Sequence, residues 1–262
     1  MTTYERRQSI LELLRKQPGV RVIELAGVLG VSAGTIRNDL NALEQEGRLS
    51  RVHGGGILNE QNVFYNNLFS IRLKENLAAK IVIAREAALM IEDRDSILLD
   101  ASSTAYYLAR ILAERQRLRV ITNGIDAARV LAQNSSHTVI LIGGEFSYDS
   151  SSVTGLLSEQ VLKELHVNKA FLSCSGFSLE RGMTEVHLSE AQLKRIAIES
   201  SQQVIALIDS SKFGKEDLTP FARPEQITQL ITDSGLTPQW IQKLEHAGIE
   251  FTICGKEEAA IR

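Results

Sequence analysis

Ser32, Gly34, Thr35, Arg37, Asn38 and Asn41 crowd into one short stretch of the chain. They supply hydroxyls, amides, one guanidinium and a position without a side chain. If the stretch is helical, about 100° per residue turns Gly34, Asn38, Asn41 and Gln45 to one side, with Thr35 and Arg37 on its flanks. Ile36, Leu40 and Leu43 then recur at i, i+4 and i+7 on the opposite, inward side. An amide can pair bidentately with adenine and an Arg with guanine or phosphate, while Gly34 lets the backbone come close. This is the chemistry of a helix face that reads the major groove. Arg48–Leu58 comes next as strand, Gly turn and return strand, with Arg48, Arg51 and His53 on or beside it. A basic wing there would bind backbone phosphates. Without the wing, the same pattern also fits a helical hairpin with a solvated polar face.

A second set of residues is scattered along the rest of the chain. Asp100-Ala101-Ser102-Ser103-Thr104, Thr122-Asn123-Gly124, Gly143-Gly144, Ser173-Cys174-Ser175-Gly176 and Asp209-Ser210-Ser211-Lys212 each come after an apolar run. Glu190 and Lys194 stand four apart on an expected helix face. Singly, these are helix caps, turns and a surface ion pair. Converging on one sheet edge, they would wrap an anion with hydroxyls, helix N-terminal amides and ammonium groups. Asp100, Glu185, Glu190 and Asp209 could also be offered as carboxylate bases, the chemistry of a sugar-phosphate isomerase. An enzyme of that kind remains the alternative.

The elements that must position the first set come from periodicity. Tyr4–Lys16 reads as a helix with Ile10, Leu13 and Leu14 inward. A second helix, from Val22, carries Ile23, Leu25, Ala26 and Leu29 on its apolar side. Gly30 ends it in a left-handed cap and Ser32 caps the next helix. A winged helix-turn-helix domain over 1–59 is predicted, then a linker over 60–75. In that linker Phe64, Tyr65 and Phe69 are apolar enough to dock on the body or on a partner subunit. Over 76–262, strands at Ser96–Asp100, Leu118–Asn123, His137–Gly144, Lys169–Gly176, Gln202–Asp209, Gln226–Asp233 and Ile249–Gly255 alternate with helices. Short apolar strands separated by helices predict a mainly parallel α/β sheet, with ligands beyond the strand carboxyl ends.

Arg6, Ile10, SAGTIRNDLNALEQEG at Ser32–Gly47 and RVHGG at Arg51–Gly55 resemble the DeoR/GlpR family of bacterial sugar-metabolism repressors. The family usually has a second Arg where this chain has Asn38. DASST at Asp100–Thr104, Thr122-Asn123, Gly143-Gly144, SCSG at Ser173–Gly176, Glu190–Lys194 and DSSKFG at Asp209–Gly214 resemble that family's effector domain. The resemblance implies a sugar-phosphate effector and a body similar to ribose-5-phosphate isomerase. Where many members have Asp, this chain has Ser175. The resemblance further implies a repressor of a carbohydrate-utilisation operon rather than an enzyme, with no cofactor and no metal. Its expected partners are operator duplex, a phosphorylated sugar, and itself, as homodimer or homotetramer. An activator would use the same contacts.

A chain of 262 residues with a net charge of −3 does not advertise a nucleic-acid binder. Its halves differ, however. Residues 1–59 hold eight Lys/Arg against six Asp/Glu, and the remainder 21 against 26. A small basic head on an acidic body is the pattern expected. Cys174 and Cys254 match no metal or redox spacing, which suits a reducing compartment. With no secretion signal at the start and no membrane-spanning run, a cytoplasmic protein with no membrane partner is predicted.

Overall fold

The computed structural model describes residues 2–16, 19–45, 49–52, 54–58 and 68–255. The chain divides into two compact units, Met1–Asn66 and Asn67–Arg262.

The first unit runs α1 (Thr3–Lys16), α2 (Val22–Leu29), α3 (Ala33–Gln45), β1 (Leu49–Val52) and β2 (Gly55–Leu58). Its core is Ile10, Leu11, Leu14, Val22, Leu25, Ile36, Leu40, Leu43 and Leu49. Gly30 ends α2 at φ 66°. Ser32 Oγ accepts from the Thr35 N–H at 3.1 Å, so α3 begins as its sequence indicates. Ile23 departs from expectation, being 76 % exposed. Val22 takes the inward position beside Leu25, and the next residue turns about 100° away. β1 and β2 pair antiparallel as the wing. The hairpin is anchored by Val22 N–H donating to Gly54 O at 2.7 Å. A Cβ on Gly55 would stand 2.5 Å from the Val20 carbonyl oxygen, so the wing's approach requires glycine there.

The second unit opens with α4 (Leu68–Lys74) and α5 (Leu77–Leu89). Then come β3 (Ser96–Leu99), α6 (Ser103–Leu112), β4 (Arg119–Thr122), α7 (Ile125–Leu131), β5 (Thr138–Leu141), β6 (Glu145–Ser147), β7 (Ser152–Thr154) and α8 (Leu156–Lys163). β8 (Val167–Leu172), β9 (Gly176–Ser178), β10 (Gly182–Glu185), α9 (Leu188–Glu199), β11 (Ser201–Leu207), β12 (Thr219–Ala222), β13 (Gln229–Asp233), α10 (Pro238–His246) and β14 (Phe251–Cys254) complete it. Seven strands form one parallel sheet, β14-β13-β11-β8-β3-β4-β5. Strand alternation splits its side chains between two cores. Ile97, Leu99, Ile205 and Leu207 meet α5, α6 and α7. Leu98, Val204 and Ala206 meet α8, α9 and α10.

Two expectations need correction. Residues 68–74, read as linker, are helical: Phe69 is buried, its N–H donates to Asp149 O at 2.8 Å, and its ring meets Tyr106 edge-on at 6.0 Å. Tertiary contacts order a seven-residue segment too short to signal a helix by its own periodicity. Phe64 and Tyr65 lie outside the described residues. Segments read as loops also form the small antiparallel sheets β12-β10-β9 and β6-β7. Their strands are three or four residues long, too short for an alternation to stand out.

Candidate DNA-reading face and sensor cleft

In the first unit the orientation of α3 is fixed from behind. Asp39 is buried, and its carboxylate accepts from Arg6 Nε at 2.6 Å and Arg7 Nε at 3.2 Å, tying α3 to α1. The opposite face is open: Gly34, Arg37, Asn38 and Asn41 are exposed and Thr35 partly so. Arg51 on the wing donates to the Asn41 side-chain oxygen, and its N–H donates to Glu44 Oε1 at 2.8 Å. Wing and α3 are therefore cross-linked, and Asn41 is oriented by a wing residue. Ser32 doubles as the helix cap. Arg48 and His53 lie outside the described residues.

In the second unit a cleft of about 240 Å³ sits beyond the carboxyl ends of β3, β8 and β11. β3 leads through Asp100 into α6, whose N-cap is Ser102, its Oγ accepting from the Ala105 N–H at 3.1 Å. The first N–H groups of a helix have no intrahelical acceptor, so Ser103 on the cleft wall brings an amide as well as a hydroxyl, whereas the Ser102 N–H is taken by Asp100. α9 supplies Glu190 and Lys194, both buried. Lys194 Nζ lies 3.1 Å from Asp100, 2.5 Å from Glu185 and 2.8 Å from Ser173 O, with the Phe221 ring centroid at 5.1 Å. Burial works to lower its pKa, but Asp100, Glu185 and Glu190 together outweigh burial and hold it above the ordinary lysine value. Burial likewise acts to raise Glu185, and Lys194 with the Ser175 hydroxyl at 2.9 Å overcomes this and keeps it lowered. Lys212 donates to Ser173 Oγ at 3.0 Å and lies 3.6 Å from Asp209. Cys174 also lines the cleft, with its thiol pushed up to about 12 by burial.

Of the residues expected around an anion, Ser102, Ser103, Ser175, Glu190, Lys194 and Lys212 line the cleft. The others do not. Asp100 lies beneath, accepting from the Ser102 and Ser173 N–H groups at 3.1 and 2.8 Å while pairing with Lys194. Asn123 buttresses Glu190 from below at 3.4 Å, and Ser152 donates to the same carboxylate. The Thr122 Oγ1 turns the chain by accepting from the Gly124 N–H. Thr104 is fully buried. Gly143 and Gly144 come after β5, at the far edge of the sheet from β8 and β11. Neighbouring strands are roughly 4.8 Å apart, which puts that loop beyond the reach of a small ligand. A Cβ on Gly144 would meet Ser158 Oγ at 2.3 Å, so this glycine serves close packing. Glu190 and Lys194 are not a surface pair either, since each is buried with other partners.

Sequence reasoning missed Lys80, Arg72 and Asn76 on the cleft wall, and gave Glu185 only to the enzyme alternative. Lys80 had a signal: it is in phase with Ile83, Ala84, Ala87 and Ala88 on the buried side of α5. It is 3 % exposed, and its Nζ donates to the Arg72 carbonyl and, at 2.6 Å, to the Glu75 carbonyl. Burial first, then Lys212 nearby, lowers its pKa to about 8. Lys194 is paired directly with carboxylates, whereas the hydrogen bonds of Lys80 go to carbonyl oxygens, with Asp209 and Glu75 acting on it only through their charge. Lys80, Lys212 and the start of α6 line the same cleft. Among the described residues no group of three or more His, Cys, Asp or Glu is placed to hold a metal ion. Nor is any helix among them long and apolar enough to cross a membrane.

Residues 6–62 match the DeoR-like helix-turn-helix domain, and residues 75–234 match the DeoR C terminal sensor domain. The chain is 41 % identical over 252 residues to the "Uncharacterized HTH-type transcriptional regulator YulB" of Bacillus subtilis (strain 168), covering 96 % of this chain and 97 % of that protein. It is 31 % identical over 255 residues to the putative aga operon transcriptional repressor of Escherichia coli O157:H7, covering 97 % and 95 %. A ribose 5-phosphate isomerase A structure from Methanocaldococcus jannaschii aligns at 20 % identity and TM-score 0.38, over 51 % of this chain and 53 % of that one. Helix-turn-helix head and sensor body thus match in order along one chain: it belongs to the DeoR family of transcriptional regulators.

Proposed function

We propose that this protein is a sequence-specific repressor of a carbohydrate-utilisation operon, released from its operator by a phosphorylated sugar in the sensor cleft. The observation that carries the reading is Lys80, a buried ammonium held by carbonyls rather than a carboxylate, beside Lys212 and the α6 N-terminus. A phosphoryl group is the ligand that balances those charges. Sugar hydroxyls would meet Ser175, Glu190 and Ser150 on the same wall. The aga operon repressor among its relatives agrees with this reading.

The cleft is built to bind rather than to turn its ligand over. Glu185 and Lys194 satisfy one another at 2.5 Å, and the Ser175 hydroxyl occupies the other Glu185 oxygen, so Glu185 is not poised as a free base. One α3 contacts too few base pairs for a genomic site, so the protein acts as a homo-oligomer on repeated half-sites. Ser32, Gly34, Thr35, Arg37, Asn38, Asn41 and Arg51 form its DNA face. Whether binding represses or activates is set by where the operator lies. The ligand acts by favouring one state of the DNA-bound protein over another.

The test is a thermal-shift panel of sugar phosphates, followed by gel shifts on duplex selected from a random pool. A ligand at 100 times its Kd adds about 2.7 kcal/mol, and the same ligand should weaken DNA binding 5- to 150-fold, a typical coupling. A panel in which no compound raises the melting temperature or alters DNA affinity overturns the reading. Turnover in a coupled isomerase assay would restore the enzyme alternative.

A further inference from the structure

The outer wall of the cleft is α4, the first described helix after the segment that leads on from the wing. A seven-residue helix does not hold itself in water, and α4 is pinned at several points. Tyr107 Oη donates to Leu73 O at 3.0 Å, and Phe69 N–H donates to Asp149 O at 2.8 Å. Just beyond it, Asn76 Nδ2 donates to Ser211 Oγ at 2.9 Å and Asp209 Oδ1 at 3.2 Å. Lys80 donates to the carbonyls of Arg72 and Glu75.

Two donors on this wall remain unmet. The Arg72 Nε is buried and finds no hydrogen-bond partner, with its guanidinium 5.9 Å from the Phe69 ring centroid. Such a group gives up its hydration without a replacement. Lys80 has three N–H bonds and uses two of them on carbonyls. Lys80 Nζ bonds the backbone carbonyl of Arg72, and both residues line the cleft.

We propose that an anionic group in the cleft accepts from Arg72 Nε and from Lys80 together, making α4 a ligand-dependent latch. The inference rests on the anion-binding function proposed for the cleft and adds its route. A bound phosphoryl group clasps α4 to the sheet, and so fixes the point at which the sensor unit meets the segment leading from the head. Linkage makes the effect reciprocal: whatever docks α4 tightens ligand binding by the same factor.

Hydrogen exchange on the full chain tests it. The probes are inorganic phosphate, with chloride at matched ionic strength as control, and the sugar phosphate giving the largest melting shift. Either probe should slow exchange across 68–76 by about tenfold or more in the unsubstituted protein. Arg72→Gln should weaken binding of both probes by roughly tenfold or more and abolish that protection, without lowering the ligand-free melting temperature, since it removes a donor that the ligand-free protein leaves unmet. Tyr107→Phe removes a pin outside the cleft. It should speed exchange of 68–76 without ligand and weaken phosphate binding by a few fold, which a role confined to ligand contact would not produce. If the probes bind but neither 68–76 exchange nor the affinity of the two variants changes, the latch is wrong and the effector reading survives. If neither inorganic phosphate nor any sugar phosphate binds the unsubstituted protein, both fall together.

Discussion

In the head, Asp39 divides its carboxylate between Arg6 and Arg7, whose side chains are 13 % and 29 % exposed. In the sensor unit, Lys194 sits among Asp100, Glu185 and the Ser173 carbonyl, every one of them buried. Both arrangements lock one helix, α3 in the first case and α9 in the second. They differ in what they leave over. The head's lock is at the back of α3 and leaves a whole face of amides and one Arg in solvent. The sensor's lock forms the floor of the site itself and leaves a neighbouring cation, Lys80, to be satisfied by something that arrives. Reading a duplex needs side chains presented outward, whereas a buried ammonium on a cleft wall suits the binding of an anion.

The largest expected effect separates the two locks. Lys194→Met strands two buried carboxylates and should destabilise the protein by about 3–5 kcal/mol in urea unfolding. Asp39→Asn leaves two Arg side chains that can still reach water, and should cost about 1–3 kcal/mol. Equal costs would erase the distinction between the locks. The next effect concerns Lys80. Its pKa of about 8 lies below the ordinary 10.5, so above pH 8 an anion must bring a proton with it. Calorimetric affinity for a sugar phosphate should then fall by up to about tenfold per pH unit. In the ligand-free protein the folded state gives up this proton before the unfolded chain does. This residue's contribution therefore makes stability rise between pH 8 and 10.5. A flat affinity profile from pH 7 to 9.5 would remove Lys80 from the anion seat. Smallest on the fold is Asn38→Ala, expected within about 0.5 kcal/mol on stability. On DNA it should relax preference at one base pair by about 1–3 kcal/mol, and an unchanged affinity across all operator variants would break that assignment.

The head was more legible than the cleft for a geometric reason. One helix, with one period, sorts Ile36, Leu40 and Leu43 from Asn38 and Asn41, so local sequence suffices. The cleft draws Ser102 from β3–α6, Lys80 from α5, Glu185 from β10, Lys194 from α9 and Lys212 from the turn after β11. No local period records which strands are neighbours. Strand order 11-8-3-4-5 decides that Ser175 and Lys212 line the cleft while Gly143 and Gly144 do not. Asp100 shows the same limit: its position before a helix suggested a ligand contact, but Lys194, nearly a hundred residues later, claims it. Glu185 lay on a four-residue strand with no readable alternation. Lys80 was readable, because a lone cation in phase with an apolar stripe must either find a partner or wait for one.

Cys174 faces the same cavity, and its protonation state has a consequence for the cell. Burial pushes its thiol up to about 12, which keeps it protonated near neutral pH, and it is the sulfur anion that reacts with peroxides and alkylating agents. Oxidative stress therefore finds almost nothing to modify inside the chamber.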